Sequence, residues 1–462
     1  LMVFDISPYA AGVPGVQVRF TFSGTYYFWL IDDVRLSGEN PFPQTYPSKV
    51  GEDLFAADEP YAIDAMGGAY RPDELVVYFN EFDTVVGGGI IPITETEKQL
   101  VREELGVDSF VVCPCDSLLE LWVFDEDGDN NDPPGPNLNS IDILGNKTGA
   151  KAKSETLGVD YNYLAISDVV PTDVPANQAL TGIPAGIQPS GNQDEVLVAI
   201  LDTGIDYAEP DLIKHIWQNV DGSCIGPDDY IGFNAVNLNN NPMDNNPDRH
   251  GTSVSRVLHQ NMVTTSCNFK LMPVKTHQGN GVGSLFSVSC GAKYAVEEKA
   301  QVLNMSWGWY GEPNEVLQII IQQAQEDGAT VVAAAGNDGI LITDTLMYPA
   351  CYPEDNVLAV AGVYLDSTNT FVASSMSNGS PEYIDMAAIG EGIRVLGVCD
   401  ELAGTSYAAP FVSSRAVIAY DQGSEGKAVW QFITDCAEKT AVPGLTNLTK
   451  GGIVLRPDTN CQ

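Results

Sequence analysis

Apolar positions along this chain change their period several times, and the changes divide it into three parts. Over the first forty or so residues they alternate: Val16, Val18, Phe20 and Phe22 fall on one face, and Tyr26, Phe28 and Leu30 resume the pattern after Ser23-Gly24. A period of two marks half-buried strands, so residues 1–60 are expected to be the remnant of a β-sandwich. From about residue 67 the texture becomes strand (74–79), helix (94–105), strand (118–124) and a further strand (161–166). Thr94 and Glu97 have the spacing of a capping box at the start of that helix. Residues 67–167 are therefore expected to form a small α+β unit. After a Pro/Gly-rich stretch at about 168–193, continuous apolar runs at 196–201, 269–274, 302–306, 330–335 and 357–360 alternate with helical stretches at 284–298 and 315–325. Uninterrupted apolar strands separated by helices predict an α/β fold for residues 168–462, a mostly parallel sheet with helices on both faces. Its chemistry should lie at the carboxyl ends of the strands.

Charge and cysteine content narrow the function. Among 462 residues, 62 Asp and Glu face 22 Lys and Arg, a formal charge of −40. Such a field repels nucleic acid and anionic lipid, so neither is expected as a partner. No run approaches the length of a membrane span, and membrane insertion is not expected. The chain opens without an export signal and in mid-pattern, which reads as a section of a longer precursor. Nine cysteines are dispersed without Cys-x-x-Cys pairs. That spacing disfavours zinc or iron–sulfur ligation and favours some disulfides in an oxidising compartment, with one thiol left over. The loop 125–132 carries Asp125, Asp127 and Asp129 at alternate positions, as a calcium site would. Asn130 and Pro136, however, replace the glycine and closing Glu of an EF-hand loop, so a plain solvated loop is the other reading.

Three segments place a reactive side chain beside glycine and small residues at the end of a buried element. An apolar strand ends in Asp202-Thr203-Gly204, and His250-Gly251-Thr252 opens a helix. Gly404-Thr405-Ser406 sets a serine at another helix start, where the local dipole favours developing negative charge. A serine hydroxyl scarcely ionises at neutral pH, so it needs an imidazole as base and a carboxylate to fix the imidazole's tautomer. A fourth segment, Ala335-Gly336-Asn337, ends a buried strand in an amide that can donate to an oxyanion. Each signal alone is weak. The order Asp, His, Asn, Ser on one strand-helix framework is not.

Over roughly residues 170–455 these four segments resemble the signatures of the subtilisin-like serine protease family, in order and approximate spacing. The resemblance implies a secreted endopeptidase with Asp202, His250 and Ser406 as its triad and Asn337 as oxyanion donor, acting on protein or peptide substrates without a catalytic cofactor. It further implies a substrate held as a β-strand between Gly281-Val282-Gly283 and Ser306-Trp307-Gly308. Ser306–Gly308 and Ala334-Ala335-Gly336 would wall the pocket for the residue before the scissile bond. The segment 67–167 stands where precursors of that family carry a pro-domain, and residues 1–60 resemble the end of jelly-roll-like modules. The insertion 239–248, with Asp244 and Asp248, resembles calcium-binding loops of the family, against which stands a loop held by its own Asx-turns. Structural Ca2+ is thus an open expectation, and the oligomeric state is not legible. The chain departs from the family pattern at Ser255-Arg256, Tyr407 and Ala388-Ile389-Gly390. Arg256 in particular questions the packing behind His250, and a protease fold kept as an inert scaffold is the competing reading.

Overall fold

The computed structural model describes residues 62–63, 69–79, 82–84, 90–124, 156–166, 178–187, 195–220, 224–343, 346–396, 398, 401–439 and 443–456. The strands expected before residue 60 and the Asp-rich loop 125–132 lie outside them. Residues 50–462 form one compact unit.

The amino-terminal part is built on short strands β1 (Ala62–Ile63) and β2 (Ala69–Phe79), a small hairpin of β3 (Phe82–Thr84) and β4 (Ile90–Pro92), helix α1 (Glu95–Leu105), and strands β5 (Ser109–Cys113), β6 (Asp116–Val123) and β7 (Thr156–Ile166). The capping box expected at α1 is present, with Thr94 Oγ1 accepting from Glu97 N and Glu97 Oε2 from Thr94 N. Gly106 closes the helix at a positive φ of 70°, which suits a residue without a Cβ. Beneath α1, Arg102 donates to both oxygens of Glu120, at 2.8 and 2.6 Å, and Trp122 Nε1 adds a third donor at 2.8 Å.

The carboxyl-terminal part supplies β8 (Val196–Asp202), β9 (Phe233–Asn234), α2 (His250–Met262), β10 (Phe269–Lys275), β11 (Val282–Ser284), α3 (Leu285–Glu297), β12 (Val302–Met305), β13 (Trp309–Tyr310), α4 (Glu315–Glu326), β14 (Thr330–Ala334), β15 (Met347–Tyr348) and β16 (Val357–Leu365). After these come β17 (Phe371–Ala373), β18 (Met386–Ile389), β19 (Glu391–Ile393), β20 (Leu402–Ala403), α5 (Thr405–Asp421), α6 (Lys427–Asp435), β21 (Glu438–Lys439), α7 (Pro443–Thr446) and β22 (Ile453–Val454). Ten strands make one sheet in the order β21-β22-β18-β16-β14-β12-β8-β10-β9, with β17 beside β16. All its pairings are parallel except those of β17 and β21. In β8, Leu197, Ala199 and Leu201 enter the core under α3 and α4, while Val196, Val198 and Ile200 enter the core under α2 and α5. Burial on both faces is why the strand reads as a continuous apolar run rather than an alternating one.

The two parts are joined at three levels. Strand β11, next in sequence after β10 of the large sheet, pairs antiparallel with β7, Val282 opposite Ile166 and Ser284 opposite Leu164, so the small sheet runs β11-β7-β2-β6-β5 with β1 beside β2. Two side chains of β7 cap helices of the other part: Asp160 Oδ2 accepts from Glu315 N and Val316 N at the start of α4, and Asn162 Oδ1 from Phe286 N at the start of α3. Disulfides Cys113–Cys290 and Cys115–Cys224 then link them covalently. Cys436 is also disulfide-bonded, whereas Cys267 and Cys351 are free thiols.

Replacing Glu120 by Ala removes both bonds that tie the buried Arg102 guanidinium to β6 and leaves it Glu95 and Gln99 of its own helix, and a loss of about 3 kcal/mol is expected for the amino-terminal part. Urea unfolding followed by Trp fluorescence should show the lower midpoint. An unchanged midpoint would mean that the pair is not sealed from water.

Candidate active site

Strand β8 ends in a carboxylate because the large sheet ends there. Lys275 lies opposite Asp202 in β10, and the chain leaving β10 donates Thr276 N and His277 N to the Asp202 carbonyl. The Asp202 side chain is fully buried and accepts Thr203 N on Oδ1 at 2.7 Å. His250 Nδ1 donates to the same oxygen at 2.7 Å. Burial alone would raise the Asp202 pKa. The neighbouring His250 outweighs it, with His277 and the Thr203 N–H, and holds the carboxyl below its ordinary value.

His250 reaches this carboxylate because helix α2 starts almost on top of the β8 turn. A Cβ on Gly251 would run into the Gly204 carbonyl, and Gly204 itself has a φ of +107° with the Pro242 carbonyl against it. Only glycine fits either place. Arg249, in the left-handed region at φ 54°, provides no side-chain cap for α2. The first N–H groups of the helix are instead satisfied by the preceding loop and the β8 turn: His250 N by Asn246 Oδ1, Gly251 N by Thr203 Oγ1, and Thr252 N by Asp244 Oδ2.

The same arrangement engages several oxygens of the insertion 239–248. Asp244 is buried and accepts Thr252 N and Thr252 Oγ1 on one oxygen, and Thr203 Oγ1 and Asn246 N on the other. Asn239, Asn241 and Asp244 each accept the backbone N–H two residues on, the Asx-turn alternative. Among the described residues no group of three or more His, Cys, Asp or Glu side chains is placed to hold a metal ion. Arg256, expected to disturb the packing behind His250, turns the other way. Its guanidinium is held by Asp211, Nε to Oδ2 at 3.0 Å, and by Glu209, Nη2 to Oε2 at 2.6 Å. Tyr407 lays its ring 5.6 Å from that of His250. Neither departure displaces the imidazole from Asp202.

Ser406 is the second residue of α5, whose start is held by its neighbours. Gly404 N donates to the Gly390 carbonyl at 2.7 Å and Thr405 N to Asn337 Oδ1 at 2.7 Å. The second of these bonds commits the Asn337 oxygen, so what Asn337 offers is the donor end of its amide. Thr405 Oγ1 accepts Gly336 N at 3.0 Å, joining the two segments again. The Ser406 hydroxyl donates to the Ser306 carbonyl at 3.0 Å, and Ser306 Oγ donates to the Ser406 carbonyl at 2.7 Å. Trp307 anchors the same segment through Nε1 to the Leu201 carbonyl at 2.7 Å. Of the expected substrate strands, Gly281-Val282-Gly283 lies at the edge that β7 pairs with. Asp248 lies in the turn just before His250, and Asp125, Asp127 and Asp129 lie outside the described residues.

Two buried groups at this site had no sequence signal. Lys275 Nζ donates to the Thr203 carbonyl at 2.6 Å and to Asn245 Oδ1 at 2.8 Å, and burial lowers its pKa to about 8. His277 is fully buried beside Trp307 and Gly283, and burial pushes its pKa down to about 3. It is therefore uncharged at neutral pH.

Residues 193–451 match the subtilase family along their whole length. The chain belongs to the subtilase family. It is 31% identical over 256 residues to the thermophilic serine proteinase of Bacillus sp. (strain AK1), covering 54% of this chain and 57% of that one. To the major intracellular serine protease of Bacillus subtilis (strain 168) it is 34% identical over 245 residues, covering 50% and 70% respectively. The chain thus spans a little over half the length of the first relative. The crystal structure of the epidermin leader peptide processing serine protease of Staphylococcus aureus superposes with a TM-score of 0.55 at 17% identity, over 84% of this chain and 99% of that one. At that identity the likeness speaks for the subtilase fold alone. No helix among the described residues is long and apolar enough to cross a membrane.

In this subtilase Asp244 clamps the β8 turn to the His250 helix. Asp244→Ala leaves the buried Thr252 N–H unsatisfied, and a loss of about 1–3 kcal/mol is expected for each group orphaned. Thermal unfolding should show a lower Tm that added calcium does not restore. An unchanged Tm, or full rescue by calcium, would refute the clamp.

Proposed function

We propose that this subtilase is a secreted serine endopeptidase in which Ser406 is the nucleophile, His250 the general base and acid, Asp202 the orienting carboxylate and Asn337 an oxyanion donor. The observation that carries the reading is the 2.7 Å bond between His250 Nδ1 and the buried Asp202. It fixes the tautomer and leaves Nε2 as the basic nitrogen. The Ser406 hydroxyl turns from the Ser306 carbonyl to His250, gives up its proton as Oγ attacks the scissile carbonyl, and the amide of Asn337 with a backbone N–H near Ser406 takes up the oxyanion charge. His250 returns the proton to the leaving amine, and water repeats the sequence on the acyl-enzyme. Released from Ser406, the Ser306 carbonyl can accept a substrate N–H. The disulfides support export to an oxidising compartment.

Residues 67–167 are, in the same reading, a pro-domain. Strand β7 ends at Ile166 opposite Val282, so the edge assigned to substrate is already paired there. Strand addition at that edge is how a peptide would be held. Two disulfides run from β5 and its turn to Cys290 and Cys224. A cut between residues 167 and 194 leaves the pro-domain attached, so its departure requires thiol–disulfide exchange as well.

Fluorophosphonate should label Ser406, and Ser406→Ala should abolish both labelling and peptide hydrolysis while leaving the fold intact. Asn337→Ala should lower kcat about 100- to 1,000-fold. Wild-type rates in either variant would sink the assignment.

For the pro-domain, the full chain nicked between 167 and 194 should run as one species without reductant and as two with dithiothreitol. Labelling of Ser406 should speed up on release, and likewise in the Cys113→Ser/Cys115→Ser variant. A labelling rate indifferent to release would overturn the pro-domain reading.

A further inference from the structure

We propose that Met347 fills most of the pocket for the substrate residue before the scissile bond, so that this protease accepts small side chains there, such as Ala or Ser, and rejects aromatic ones. The inference rests on the catalytic reading above and names the substrate class of that same site.

The two walls of that pocket, Ser306–Gly308 and Ala334–Gly336, each end in a glycine, and two facing glycines leave a slot between backbones. Here the slot holds a side chain. A Cβ built on Gly308 would come within 2.5 Å of Met347 Cε and 3.3 Å of its Sδ, and one built on Gly336 within 3.2 Å of the same Cε. The terminal methyl of Met347 thus sits against both walls, and the residue is buried, with 7% of its surface exposed.

Its backbone cannot simply back away. Met347 is paired with Tyr310 across the β13–β15 ladder. The Tyr310 hydroxyl donates to Asp338 Oδ2 at 2.6 Å and accepts from Asn378 Nδ2. Asn378 in turn donates to the Ala335 carbonyl at 2.9 Å and accepts Asp338 N at 3.2 Å. The floor of the slot is therefore tied to one of its walls by the same hydrogen-bonded set, and Tyr310 adds its own bulk 3.2 Å from the Gly336 Cβ position. A Phe side chain can enter only by expelling the Met347 thioether from its place between the glycines. Ala or Ser needs no such displacement.

The test uses peptide p-nitroanilides Ala-Ala-Pro-X with X as Ala, Leu or Phe. The full chain, nicked between residues 167 and 194 and then reduced, is assayed with active sites counted by fluorophosphonate. Discrimination by one methylene in a pocket is about 10- to 200-fold. The expected result is a kcat/KM at least about 100-fold higher for Ala than for Phe. Met347→Gly, or Met347→Ala should the first fold poorly, is expected to raise the Phe/Ala ratio by about the same factor. A wild-type protein that cleaves after Phe as well as after Ala overturns the proposal. So does a ratio unmoved in both variants. A nicked and reduced chain that takes no fluorophosphonate loses this inference together with the catalytic reading beneath it, whereas one that labels but prefers Phe loses this inference alone.

Discussion

A carboxylate sealed from water must find donors, and most of the architecture around Asp202 follows from that requirement. Ionised and fully buried, it is held by His250 Nδ1 and Thr203 N, which both reach Oδ1, while Oδ2 is buried without a partner among the described residues. To bring the imidazole there, α2 must begin within contact of the turn after β8, which is why Gly251, against the Gly204 carbonyl, and Gly204, against the Pro242 carbonyl, carry no side chain. A helix that begins buried exposes its first N–H groups to no solvent. The loop before it must then carry acceptors, and Asn246, Thr203 and Asp244 are those acceptors. The acidity and asparagine content of that loop thus serve the helix start.

The same logic explains why some features were legible in the sequence and others were not. Uniform apolar runs gave the parallel strands because burial on both faces leaves no polar alternation. The four motifs announced the site because each couples a reactive residue to a local backbone demand, such as a tight turn or a helix start. The capping box at Thr94 is local too, and it formed as expected. What escaped was long-range. Strand β5 has a mixed pattern and is fixed by its neighbour β6 and by disulfides whose partners lie 177 and 109 residues away. Arg256 read as a threat to packing because Asp211 and Glu209 are far from it in sequence. Asp244 read as a metal ligand or as a turn residue, and its bonds to Thr252 and Thr203 are not local enough for the sequence to show.

Long-range partners also govern how the two parts of the subtilase hold each other. Helix α3 starts at the residue after β11, so the edge strand and the helix terminus are one continuous piece of chain. Strand β7 satisfies both at once: its backbone pairs with β11, and Asn162 on it caps α3 while Asp160 caps α4. An extended peptide arriving at that edge can copy the backbone pairing, which any sequence offers. It cannot copy the caps, each worth about 1 kcal/mol, nor the covalent links to Cys290 and Cys224. In the mechanism proposed for this subtilase, competition for the edge is therefore uneven by construction. The tethered strand also acts at an effective concentration that no free peptide matches. Substrate access then depends first on breaking the covalent links and only afterwards on affinity.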